Sequence, residues 1–155
     1  MEQKKFGPKT YLGIVTENIK IEDLQPIFDE GYKKIYHFSQ ENNIELTGPA
    51  VGLYWDFNMT TGTMSVLPGA EVAAGTIVPE DSEFVVIEIP ESNTLADTHI
   101  GNYDGLKNVH DKMMKHLMQS NLKMGKYTIE VYVTDPMKEK DSSKWVTDIY
   151  YQLKD

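Results

Sequence analysis

The chain carries the same order of predicted elements twice, and this order limits the folds open to it. The first half predicts a strand at "PKTYLGIVTE" (8 to 17), a helix from Glu22 to about Asn43, and strands at "AVGLYWDF" (50 to 57) and "MSVLPGAEVA". The second half predicts a strand at "EFVVIEIP" (83 to 90), a strand or loop at "TLADTHI", a helix from about Tyr103, and strands at "LKMGKYTIEVYVTDP" and "WVTDIYYQLK" (145 to 154). Two strand-helix-strand-strand units predict an α+β fold, with two helices on one face of an antiparallel sheet.

Both helices have local signals for where they begin. Pro26 is tolerated only in a first turn, so the first helix is expected to begin near Leu24 or Gln25. Asn102 is a plausible N-cap for the second helix. The linker between the halves is predicted at "GTIVPEDSE" (75 to 83), which is too short to separate independent domains. We therefore expect one domain over 1–155, with halves at about 6–74 and 83–154.

Composition excludes several classes of function. The chain has no cysteine, which rules out disulfides, thiolate metal sites and a thiol nucleophile. Its formal charge of −9 gives no support to direct binding of nucleic acid. No apolar run is long enough to span a membrane, and the polar N-terminus lacks the apolar segment of a signal peptide, so a cytoplasmic location is expected.

Neither a metal nor a cofactor is expected from the motifs. The four histidines are His37, His99, His110 and His116, and none of them forms a pair with the spacing of a metal site. His110 instead suits a partly buried position on the second helix. The sequence also lacks a P-loop, a dinucleotide-binding glycine motif and a nucleophile elbow.

One acid stands inside a strand. Glu130 lies between Ile129 and Val131 in "KYTIEVYVTDP", and strand alternation places it on the same face as Tyr132. One interpretation is that this face is open to water and Glu130 is an ordinary solvated acid. The other is that the two halves pack as a pseudo-symmetric pair, and that Glu130 lines a ligand groove between them.

The matching strand of the first half supports the second interpretation. Gly52 and Tyr54 alternate there in step with Glu130 and Tyr132, so a carboxylate flanked by aromatic rings would face the groove. Such a groove suits a lipophilic cation, through opposite charge and cation–π contact. Burial beside aromatic rings is expected to raise the pKa of this carboxyl, and an acid with a raised pKa can also act in catalysis.

The order and spacing of three motifs carry a family resemblance. "GPAVGLYWD" after the first helix, "IGNYDGL" opening the second, and "YTIEVYVTDP" after it together resemble the GyrI-like small-molecule-binding domain over nearly the whole chain. That family includes the effector-binding domains of multidrug-responsive transcription activators and free-standing gyrase-inhibitor-like proteins. The family's "GPYE" appears here as Gly101-Asn102-Tyr103-Asp104, so the helix-opening role carries over while the Pro and the Glu do not.

The resemblance implies a site. It assigns the family's buried glutamate to Glu130, and groove aromatics to Tyr54 and Tyr132. Strand placement adds Tyr11, Trp145 and Tyr150 as further candidates for ligand contact, beside Gly52. No helix-turn-helix segment is recognisable, so a role in transcription would need a separate DNA-binding partner.

The sequence and the family resemblance together leave three functions open, of which the second and third are implied by the resemblance. The first is a stand-alone binding protein that takes lipophilic, aromatic, preferably cationic compounds, with Glu130 as the counter-charge. The second is a hydrolase of strained electrophilic, cyclopropane-type natural products, in which Glu130 is the general acid or base and Tyr132 orients it. The third is an acidic protein-interaction module that acts on a partner such as gyrase, independently of the groove.

Overall fold

The computed structural model describes residues 1–154 and confirms the α+β fold. The strands are β1 (Glu2–Phe6), β2 (Lys9–Ile14), β3 (Thr16–Lys20), β4 (Ala50–Asn58), β5 (Thr63–Glu71), β6 (Phe84–Ile89), β7 (Ser92–Ile100), β8 (Met124–Tyr132) and β9 (Val146–Leu153). The helices are α1 (Leu24–Glu41) and α2 (Leu106–Gln119). All strand pairs are antiparallel and belong to one sheet, in the order β1-β7-β9-β8-β4-β5-β2-β6, with β3 paired to β5 beside this path.

The predicted repeat is visible in the strand order. In the first half, strands β2, β4 and β5 lie in the sheet order β2-β5-β4, and α1 precedes β4 in the chain. In the second half, strands β7, β8 and β9 lie in the equivalent order β7-β9-β8, and α2 precedes β8. The halves join through β4 and β8, whose register places Gly52 opposite Glu130. The centre of the sheet is therefore the line where the two pseudo-symmetric halves meet.

The outer strands differ from the sequence-based expectation. The strand predicted at 83 to 90 exists as β6, but it pairs with β2 and so extends the first half. Its predicted place in the second half is taken by β7, which includes the segment left as a strand or loop. The N-terminal lead forms β1, an edge strand on β7 with four of its five residues exposed. An edge strand of this kind lacks the apolar alternation by which strands are recognised.

The first helix begins where its local signal predicts, whereas the second begins three residues later than predicted, after a capped 3-10 turn. A short 3-10 turn precedes α1, which starts at Leu24, so Pro26 stands in the first turn where no intrahelical N–H is needed. The side chain of Asn102 accepts a hydrogen bond from the backbone N–H of Asp104 and caps a 3-10 turn that leads into α2. The α-helix proper begins only at Leu106.

The two faces of the sheet are buried differently. On one face, buried side chains of the strands pack against one another in a cluster made of Phe6, Tyr11, Val51, Leu53, Leu67, Ile89 and Ile129. The other face carries both helices: α1 packs through Ile35 against Leu12, and α2 packs through Met113 and Leu117 against Leu95 and Ile149. The helices cover the two ends of this face, which leaves its centre, over β4 and β8, between them.

Within the described residues, no helix is both long and apolar enough to cross a membrane.

We expect Leu53→Ala to lower the free energy of unfolding by about 2 to 5 kcal/mol, because the side chain is fully buried and its removal leaves a cavity. Met59→Ala is the matched control, since Met59 is 85% exposed and its loss is expected to cost less than about 0.5 kcal/mol. Urea unfolding followed by circular dichroism measures both values. Equal costs would contradict the placement of the core.

Candidate functional site

A broad groove lies on the helical face of the sheet, with a cavity volume of about 2350 Å³. Strands β4 and β8 form its floor, and α1 and α2 contribute its two walls. Ligand pockets of drug size are commonly about 300 to 1000 Å³. This groove is therefore large and open rather than closed around one small molecule.

Glu130 lies at the centre of the floor and is buried, with 6% of its surface exposed. The hydroxyls of Tyr54 and Tyr132 both donate to its Oε1, at 2.8 and 2.7 Å. Its Oε2 lies 2.7 Å from His110 Nε2, across the groove on α2. Three side chains from β4, β8 and α2 thus hold one carboxylate in place.

Gly52 makes this convergence possible. It pairs with Glu130 across β4 and β8, on the same face of the sheet. A Cβ atom at Gly52 would lie 3.0 Å from the hydroxyl oxygens of both Tyr54 and Tyr132, closer than ordinary van der Waals contact. The missing side chain leaves the space in which the two phenols reach Glu130.

His110 is fixed on its other side by Tyr151. Its Nδ1 lies 2.6 Å from the Tyr151 hydroxyl, and the two rings stack with centroids 5.7 Å apart. Tyr151 is buried in β9, next to β8 in the sheet. A continuous hydrogen-bonded chain therefore runs from Tyr151 through His110 and Glu130 to Tyr54 and Tyr132.

Aromatic rings surround the carboxylate. Phe28 on α1 packs edge-on against Tyr54 and stacks with Tyr32, in both cases with centroids 5.9 Å apart. Tyr103, before α2, packs edge-on against Tyr132 at 5.6 Å. The groove thus offers ring surfaces from α1, from the turn before α2 and from the floor, all within the lining of one cavity.

The ionisation of Glu130 differs from our expectation. Burial raises the pKa of its carboxyl, as we predicted, but the hydrogen bond and charge of His110 and the hydrogen bonds from Tyr132 and Tyr54 lower it more. The net result is a pKa below the ordinary value of 4.5, so the expected raised pKa is wrong. Burial and the nearby carboxylate raise the pKa values of the Tyr54 and Tyr132 hydroxyls, which therefore stay protonated and act as donors. At neutral pH the floor carries a buried anion.

The wider lining of the groove is also acidic. Seven carboxylates line the cavity, against four lysines. The acids are Glu22, Asp29, Asp56, Asp104, Asp111, Glu130 and Asp135, and the lysines are Lys33, Lys107, Lys126 and Lys138. The excess of negative charge in the lining therefore extends beyond the floor of the groove.

The structure places the predicted site residues in three locations. Glu130, Tyr54 and Tyr132 line the groove together, and Gly52 lies directly beneath the two phenols. Tyr11 and Tyr150 pack in or against the cluster on the opposite face of the sheet, away from the groove. Trp145 donates its indole N–H to the Glu139 carbonyl and packs on Tyr103 with centroids 5.0 Å apart, so it supports the wall from behind.

Five of the groove residues described above were not predicted as site residues: Phe28, Tyr32, Tyr103, His110 and Tyr151. A signal for His110 exists in the sequence, because it stands four residues after Leu106 and three before Met113, within the apolar stripe of the helix. A polar side chain in such a stripe needs a buried partner. That the partner is Glu130 follows only from the fold.

The family model of the GyrI-like small molecule binding domain matches residues 2–154. The chain belongs to this family. No curated protein matches the sequence significantly. This GyrI-like chain nevertheless has clear structural relatives among solved proteins.

One similar structure is the C-terminal domain of EcmrR, at 17% identity and a TM-score of 0.78, covering 99% of this chain and 96% of that one. In the complex of EcmrR with DNA, the chain spans 56% of the EcmrR chain, at 18% identity and a TM-score of 0.75. SAV2435 bound to tetraphenylphosphonium matches at 15% identity and a TM-score of 0.68, covering 99% and 93% of the two chains. A hydrolase encoded by lin2189 from Listeria innocua matches at 13% and 0.60, covering 99% and 92%. At these identities the likeness establishes the fold alone.

Gly52→Ala tests the role of the missing side chain. We expect a loss of about 1 to 3 kcal/mol in the free energy of unfolding, because the added methyl group must displace the two phenols from Glu130. Combining it with Tyr132→Phe removes one of the two close oxygens, so the double variant should lose less stability than the sum of the single changes. Strict additivity in urea unfolding would argue against this contact.

The lowered pKa of Glu130 predicts a pH dependence of stability. A carboxyl whose pKa is lower in the folded state stabilises the fold above its unfolded pKa, and this contribution is lost as the pH falls through the folded pKa. The unfolding free energy of the wild type, minus that of Glu130→Gln, should therefore decrease as the pH falls below about 4.5. The exposed Glu80 supplies a control, since Glu80→Gln should follow the wild-type curve. A difference between wild type and Glu130→Gln that stays constant from pH 6 to pH 3 would contradict the lowered pKa.

Proposed function

We propose that the groove binds lipophilic, aromatic, preferably cationic small molecules, with Glu130 as the counter-charge. The observation that carries this proposal is a buried, ionised carboxylate on the floor of an aromatic-lined cavity. Coulomb attraction is stronger at such a site than in water, because the surrounding dielectric constant is lower. The faces of Tyr54, Tyr103, Tyr132 and Phe28 add cation–π attraction and apolar contact.

The apolar contacts supply much of the affinity in this proposal. Burying about 200 Å² of aromatic ligand surface contributes roughly 5 kcal/mol at about 25 cal/mol per Å². Loss of translational and rotational freedom opposes this gain. Micromolar binding, about −8 kcal/mol, therefore needs an additional favourable term, which the charge of Glu130 provides.

The relatives support the ligand class. SAV2435, which shares the fold, was solved with tetraphenylphosphonium, a lipophilic aromatic cation. The family is described as binding small molecules. Tetraphenylphosphonium is therefore a reasoned first probe for the groove of this chain.

Hydrolysis receives less support from the geometry. Three donors occupy the two oxygens of Glu130, and they lower its pKa below the ordinary value. A carboxylate stabilised in this way is a weak base at neutral pH, and general-base catalysis favours groups whose pKa lies near the working pH. A carboxylate that is held ionised in this way suits binding better than proton transfer.

Calorimetric titration with tetraphenylphosphonium at pH 8 tests the proposal. We expect binding by the wild type and at least a tenfold weaker affinity for Glu130→Gln, because the variant keeps the shape of the floor and removes its charge. Triphenylphosphine oxide, a neutral aromatic compound of related shape, should bind both proteins alike.

The matched control is Glu80→Gln, which removes an equal charge at an exposed position outside the groove. It should leave the affinity close to that of the wild type. Equal affinity of wild type and Glu130→Gln for the cation would remove Glu130 from the proposal, and absence of any cation binding would remove the ligand class.

A further inference from the structure

Both ring nitrogens of His110 are engaged, and each faces a different element. Nε2 contacts Glu130 Oε2 on β8 at 2.7 Å, and Nδ1 contacts the Tyr151 hydroxyl on β9 at 2.6 Å. The side chain is 27% exposed to the groove, whereas that of Glu130 is 7% exposed. In the part of the chain that the structure describes, His110 is the one basic side chain paired with Glu130.

The hydrogen positions follow from counting donors. The ionised carboxylate of Glu130 can only accept, so Nε2 must carry a proton. When the imidazole is neutral, Nδ1 has no proton and accepts from the Tyr151 hydroxyl. When the imidazole is charged, Nδ1 donates to the Tyr151 oxygen, and the hydroxyl can turn to the backbone carbonyl of His110, 3.4 Å away. The same geometry therefore accommodates both protonation states.

The two states differ in the charge of the groove floor. With a neutral imidazole, Glu130 keeps its negative charge for a ligand. With a charged imidazole, His110 and Glu130 form an internal ion pair with no net charge. Histidine is the side chain that ordinarily changes its charge between pH 5 and 8.

The tyrosines around His110 and Glu130 do not change charge over this interval. Tyr151 contacts His110 from β9, and Tyr54 and Tyr132 contact its partner Glu130 from β4 and β8. Burial raises the pKa values of these three hydroxyls and of Tyr32 on α1, so they stay neutral. Tyr103, on the turn before α2, also has a raised pKa. On α2 itself, Asp111 is paired with Lys107 at 3.2 Å at the surface.

We infer that His110 determines which ligand charge the groove accepts. A neutral His110 leaves Glu130 to a cationic ligand, and a protonated His110 acts as an internal cation that takes its place, so that the groove then favours uncharged aromatic ligands. This inference rests on the proposed function, because it concerns the same groove. It adds that a proton bound to His110 competes with a cationic ligand for the charge of Glu130.

Thermodynamic linkage predicts how strongly the affinity for a cation should depend on pH. If a proton on His110 and a cationic ligand exclude one another, each weakens the binding of the other by the same factor. The affinity for a cation should then fall by up to about tenfold per pH unit once the imidazole is mostly charged. Over the same interval a cationic ligand should release protons as it binds, and a neutral ligand should not.

Calorimetric titration of the full chain with tetraphenylphosphonium at pH 5.5, 6.5 and 8 tests this inference. We expect the wild-type affinity to fall severalfold or more from pH 8 to pH 5.5. His110→Gln retains an N–H donor for Glu130 but cannot be protonated. Its affinity for tetraphenylphosphonium should therefore change by less than about twofold between pH 8 and pH 5.5. Triphenylphosphine oxide should bind both proteins with little pH dependence.

The matched control is His116→Gln, the same substitution on the same helix but outside the groove lining. It should keep the pH dependence of the wild type. Titrations of the wild type in two buffers of different ionisation enthalpy measure proton release directly, and they test the inference even if His110→Gln does not fold.

The outcomes separate this inference from the proposed function. Cation binding at pH 8 that depends on Glu130, with the same pH dependence in wild type and His110→Gln or with no proton release, would overturn the role of His110 and leave the proposed function intact. Absence of cation binding at every pH would overturn the proposed function and the inference together.

Discussion

The site depends on holding one negative charge in the middle of a sheet. Removing a carboxylate from water costs several kcal/mol, and only well-placed donors recover that cost. Here Tyr54, Tyr132 and His110 supply those donors from two strands and one helix. The donors lower the pKa of Glu130 in spite of its burial, so the floor of the groove is anionic and fixed in place.

The pseudo-symmetric fold explains why these groups meet. The two halves join through β4 and β8, so their central strands lie side by side with Gly52 opposite Glu130. Each helix packs over the outer strands of its own half and leaves this junction open. The groove therefore results from the pairing of the two halves. The hydrogen bonds to Glu130 need residues from both halves, because Tyr54 comes from the first and Tyr132 from the second.

Membership of the GyrI-like family and the individual contacts answer different questions. The family model identifies the chain as a GyrI-like small molecule binding domain, and the solved relatives establish its fold. The hydrogen bonds that join Tyr151, His110 and Glu130 are seen in the structure of this chain. In our proposal, His110 can carry the same charge as the proposed ligand and so sets a preference between cationic and uncharged ligands.

The sequence by itself determined the α+β class, the two helices, and the placement of Glu130 and Tyr132 on one face, because helical spacing and strand alternation are local properties. Only the tertiary structure decided which face each strand turns toward the helices. Tyr11 and Tyr150 are aromatic residues of the type expected in the groove, but their strands place them on the opposite face of the sheet. The contact between His110 and Glu130 joins residues twenty positions apart on different elements, and the lowered pKa follows from that contact. No local sequence pattern encodes this contact, because the contact depends on how α2 packs across the sheet.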